Sequence, residues 1–130
     1  MGLDQYAYKT KQDLSIDHGD TEEDVVIEKE EIMYWRKHNR LEGWMANLWE
    51  SRGNDGTFNC EYVELDESDL DSLEQDVHHA RLPKTEGFFF GNDSYAVEYK
   101  NQLVNSDLAF IQNARQALAD GFRVFYTSWW

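Results

Sequence analysis

Both ends of this chain read as β-strands, and that limits its fold more than any other feature. Residues 122–130, FRVFYTSWW, are aromatic or β-branched almost throughout, a composition that suits a pleated, half-buried surface. At the other end, Leu3, Asp4, Tyr6, Ala7 and Tyr8 alternate in part between apolar and polar, the period of a strand. Strand-forming residues at both termini predict a sheet that contains both. The turn-rich stretch 13–24 reads as a loop. Val25, Val26 and Ile27 suit a short strand or the lead into a helix.

Three stretches between the ends carry helical spacing. The first covers about 30–51. There Tyr34, Leu41, Met45 and Leu48 form one stripe, widened by Ile32, Trp35, Trp44 and Trp49. RGNDG at 52–56 stops it, and 58–65 alternates loosely as a strand. The second helix covers about 67–82, with Leu70, Leu73 and Val77 inward. Asp66 caps it, with Ser68 as a rival, and Pro83 ends it. A loop with a short strand at 88–90 follows. The third helix covers about 95–120, with Phe110, Ala114 and Ala117 on its buried line and Gly121 as a left-handed cap. The expected fold class is α+β: a small, mostly antiparallel sheet holding both termini, packed against about three helices. At 130 residues, with neither a repeat nor a linker, residues 1–130 are expected to form one domain.

Charge narrows the function. Acidic side chains number 26 against 12 basic ones, for a net charge of −14. That field repels nucleic-acid phosphates and anionic membranes. A basic protein is therefore the expected partner, with self-association as the other open course. The lone cysteine, Cys60, excludes an intrachain disulfide and a thiolate zinc cluster; within its strand it is expected to be a small buried side chain. No apolar run reaches membrane-spanning length and no signal pattern opens the chain. Gly2 suits myristoylation, but Tyr6 stands where Ser or Thr is required. A soluble, cytoplasmic protein is the expectation.

Candidate sites fall in three places. On the first helix, Arg36, Asn39, Arg40 and Gly43 share a face, while Trp35, His38 and Glu42 share another. The arginines can hold a carboxylate or phosphate; equally, they can pair with nearby glutamates. The second candidate is the acidic second helix, with Asp66, Glu67, Asp69, Asp71, Glu74 and Asp76 in a run from 53 to 80 that lacks Lys and Arg. It reads either as a surface that docks a basic protein or imitates a nucleic acid, or as a solvated helix face. Metal signals are weak: His38 with Glu42 and Glu74 with His78 stand four apart without a third ligand. His-Glu-x-x-His and calcium-loop spacings are absent, and so is a Gly-x-Ser-x-Gly elbow. The third place is the closing pair Trp129 and Trp130. Packed, they lock the last strand onto a helix; exposed, they form a contact patch. A shallow pocket between them and Trp35 or Trp44 is the further option.

Three segments also carry a resemblance. They are Met1, Gly2, Leu3, Asp4 and Tyr6; then Tyr34, Trp35, Arg36, Lys37 and Asn39 with Trp44 after them; and the closing GFRVFYTSWW. Together they resemble a family of small, uncharacterised proteins of bacteriophages, cyanophages among them, and of prophage regions. The family has no assigned activity, so the resemblance implies origin more than mechanism. It raises Asp4, Arg36, Lys37 and Asn39, with His38 and Arg40 beside them, as a binding site. With that origin, the acidic field and the absence of a catalytic motif lead to the expectation of a non-enzymatic phage accessory protein that binds a host or phage protein in the host cytoplasm. The alternatives are a small-molecule or enzymatic pocket around the first helix, and an acidic nucleic-acid mimic.

Overall fold

The computed structural model describes residues 3–11, 29–54, 56–79, 81–83 and 97–130, with the side chains of the last stretch described from 104 on. Its elements are β1 (Asp4–Thr10), β2 (Lys29–Arg36), α1 (Asn39–Ser51), β3 (Tyr62–Leu65), α2 (Glu67–His78), α3 (Val97–Ala119) and β4 (Arg123–Trp129). The strands form one sheet in the order β2-β1-β4-β3, with each neighbouring pair antiparallel. The fold is thus α+β, and the first and last strands form the centre of its sheet. Asp4 to Thr10 pair along their full length with Trp129 to Arg123.

The helices cover one face. Ala7, Met33, Trp35, Val63, Leu65, Val124 and Tyr126 meet the apolar stripes of the helices in one core. Those stripes are Leu41, Met45 and Trp49 of α1, Leu70, Leu73 and Val77 of α2, and Phe110, Ile111, Ala114 and Ala117 of α3. Trp35 stands edge-on to Phe110 at 5.0 Å between ring centres. Alternation along the strands turns Tyr6, Tyr8, Tyr34, Tyr62, Thr127 and Trp129 to the other face.

The first helix begins later than its spacing predicts. Residues 30–36 are extended, paired with β1, and only Asn39–Ser51 is helical. Ile32, Tyr34 and Trp35 are β-branched or aromatic, and the pairing sends Trp35 inward and Tyr34 outward. The same apolar residues fit a 3.6-residue period by accident. Ile32 is the extra residue of a bulge between Ala7 and Tyr8, which keeps Met33 and Trp35 on the core side. Lys37, at φ 58°, turns the chain from β2 into α1.

The other boundaries shift less. Asp66 caps α2 in a reciprocal box with Asp69. The helix ends at His78 rather than near 82, where the Arg81 amide donates back to the Asp76 carbonyl. Gly121, at φ 87°, closes α3 in a Schellman motif: Phe122 donates to Ala117 and Gly121 to Leu118. Of the strand expected over 58–65, only Tyr62–Leu65 forms. Cys60 is exposed and sits at φ 61°, so it is a turn residue and not a buried one. The strands expected at 25–27 and 88–90 lie outside the described residues.

Candidate functional site

The residues singled out in YWRKHNR do not share one surface. The β2–α1 corner divides them. Arg36 points outward with Asp4, its Nε 3.9 Å from Oδ1, and Tyr34 donates to the same Asp4 oxygen at 2.7 Å. This joins Asp4 to the basic segment, across a strand pair rather than between a strand and a helix. His38 and Asn39 turn into the core. Arg40 reaches the Leu82 carbonyl at 3.4 Å, and Lys37 is the corner itself, its amide bonded to the Leu3 carbonyl.

His38 anchors a buried polar network. Its Nε2 lies 2.9 Å from Asp107 Oδ2, and the Trp35 indole donates to Oδ1 at 3.1 Å. Both His38 and Asp107 are fully buried. Burial pushes the Asp107 carboxyl above its usual range, while the His38 bond works against that rise. Gln5 accepts from the His38 amide and donates to the His38 carbonyl and to the Tyr126 hydroxyl. Tyr126 then donates to Glu42 at 2.9 Å, as do Ser128 at 2.6 Å and the Trp130 indole at 3.0 Å. Burial raises Glu42 to about 7, and these three donors moderate the shift. Six parts of the fold meet in this network: β1, β2, the β2–α1 corner, α1, α3 and β4. All of its members but the half-buried Trp130 are buried, and it ties these elements to one another.

Five of the six acidic side chains at the acidic helix are engaged by the chain's own cations and donors. Asp66 and Asp69 cap each other, and Asp69 also holds Arg52. Asp71 and Glu74 share Arg115. Asp76 takes the Trp44 indole and Arg81. Glu67 is a first-turn residue. Groups of three or more His, Cys, Asp or Glu that could hold a metal are absent among the described residues.

The two terminal tryptophans divide as well. Trp130 is locked to α1 through Glu42, and Asn59 holds its backbone amide and carbonyl. Trp129 is 67% exposed on the outer face of the sheet. There it borders a groove of about 410 Å³ with Tyr6, Tyr8, Tyr62 and Thr127, overhung by Lys29. Neither Trp35 nor Trp44 takes part: the first is core, and the second borders a separate depression beside Asp76. Tyr6 and Tyr8 stack at 6.1 Å and 10°. The Lys29 ammonium lies 4.5 Å from the Tyr8 ring centre and 5.5 Å from that of Tyr62, and donates to the Tyr62 hydroxyl at 3.0 Å. Sequence reasoning placed Trp129 at a candidate site but missed Tyr6, Tyr8, Tyr62 and Lys29. Period-two alternation puts Tyr6 with Tyr8 on one face of their own strand, but only the pairing register brings them beside Tyr62, Lys29 and Trp129.

Fold and groove together define an α+β domain with a helix-covered inner sheet face and an aromatic outer one. Comparison with protein families, with curated proteins and with solved structures finds no match. No described helix is long and apolar enough to cross a membrane.

Proposed function

We propose that this is a bacteriophage-encoded accessory protein that works by binding a basic protein of host or phage in the host cytoplasm, without catalysis. The observation that carries this reading is an open aromatic groove already holding an ammonium group, on a chain of net charge −14. The molecular field draws basic partners over distance. The groove offers them apolar, π-rich contact area of the kind that dominates binding hot spots. The division of Asp4, Arg36 and His38 between surface and core favours this reading over chemistry around the first helix. The engagement of the α2 carboxylates with Arg52, Arg81 and Arg115 moves the expected contact from that helix to the sheet.

The test is affinity capture from host lysate at about 0.15 M salt, where exposed charges are screened beyond roughly 8 Å. Wild type and Trp129→Ser are compared. The expected result is a basic protein retained by wild type and lost from the variant. Equal retention by both, or no basic protein on either, contradicts the reading.

A further inference from the structure

We infer that the outer-face groove is a slot for one arginine side chain of the partner, and that Lys29 occupies it in the free protein. This rests on the binding reading above and gives it an address and an occupant.

The register builds the slot. Thr127 of β4 pairs with Tyr6 on one side and Tyr62 on the other, so a short side chain forms the floor between two rings. Its hydroxyl is turned away to the Glu61 carbonyl at 2.7 Å. Trp129, two residues along β4, closes one end, and Tyr8 the other. Asp4, the register partner of Trp129, turns its carboxylate to Tyr34 and Arg36 on the β2 side, so the slot is walled by rings alone.

The chemistry selects a cation. Aromatic faces are negative, and cations within about 6 Å of a ring centre are attracted to them. Lys29 satisfies that condition over two rings at once. The same face repeats the arrangement with the Arg123 guanidinium 5.5 Å from the Phe125 ring centre. An anionic ligand would meet the field of a strongly acidic molecule with Lys29 as its main attraction. An incoming cation exchanges with Lys29 and leaves the net charge of the slot unchanged. A planar guanidinium stacks flat on aromatic rings, which a compact ammonium does less well. Arginine is thus the side chain that displaces Lys29.

The experiment titrates the full chain with an octa-arginine peptide and with octa-citrulline, its uncharged near-isostere, by calorimetry at about 0.15 M salt. Wild type should bind the arginine peptide and not the citrulline one. Trp129→Ala and Tyr62→Leu should each weaken binding roughly two- to fivefold, the effect of one partly exposed ring. Lys29→Met should strengthen it by a similar factor, an improvement that a misfolded protein cannot mimic. Arginine binding that ignores all three substitutions overturns the slot and leaves the basic-partner reading standing. Weaker binding by Lys29→Met overturns it too, because removing a competitor for the slot cannot weaken what replaces it. Self-association of Lys29→Met without a peptide response assigns the groove to a second copy and overturns the arginine slot. Absence of arginine-peptide binding to wild type removes both.

Discussion

Glu42 and Asp107 are two carboxylates sunk among aromatic rings, and their energetics run opposite to those of surface acids. With Glu42 raised to about 7 in the fold from an ordinary 4.5, the folded state holds its proton more tightly than the unfolded chain. Its stabilising share is whole below about pH 4.5 and is lost as pH rises through 7; the full loss is about 3 kcal/mol. Asp107, also raised, acts with the same sign. Asp66 and Glu74 are lowered by the Asp69 backbone amide and the Arg115 guanidinium respectively, so their shares are lost on the acid side. Stability against denaturant is therefore expected to peak near about pH 4.5 and to fall as pH rises toward about 7. Glu42→Gln should flatten that fall; an unchanged slope would contradict the assignment. Asp107→Ala leaves His38 and the Trp35 indole without their shared acceptor. It should cost about 3 kcal/mol in denaturant unfolding, and a loss below about 1 kcal/mol would show the network to be dispensable. The sequence exposed His38 and Glu42 as polar residues in an apolar neighbourhood. It hid the partners, since Asp107 stands 69 residues from His38 and spacing reports only local neighbours.

Among the elements, the start of α2 and the end of α3 were legible almost to the residue, because a cap marks each: Asp66 before one and Gly121 after the other; the end of α2, at His78, comes several residues before Pro83. The segment 30–36 was not. Its aromatic residues satisfy a helical stripe and a strand alternation at once, and pairing with β1 decides between them. The outer-face groove was hidden for a related reason. Its walls come from β1, β3 and β4, so it exists only once the strand order is known. That order also predicts local stability. β1 and β4 are the two inner strands, whereas among the described strands β2 and β3 lie at the two ends of the order. Amide exchange should be slowest in residues bonded between β1 and β4, and faster along β2. Slowest exchange in β2 or in the helices would contradict a sheet closed by the two chain ends.

At the scale of the whole molecule, the two faces of the sheet divide the work. The inner face carries the core and the buried network, and the proposed recognition falls to the aromatic groove of the outer face. The long-range field of −14 charges speeds encounter with basic partners and should make association strongly salt-dependent. The short-range choice falls to the rings around Thr127. The most direct test is NMR shift mapping of the isotope-labelled protein during titration with octa-arginine. The account predicts that the largest shifts fall on the Trp129 indole, Tyr6, Tyr62, Thr127 and the Lys29 side chain, while α2 stays nearly still. Shifts centred on the α2 carboxylates would place recognition on the acidic helix and contradict it.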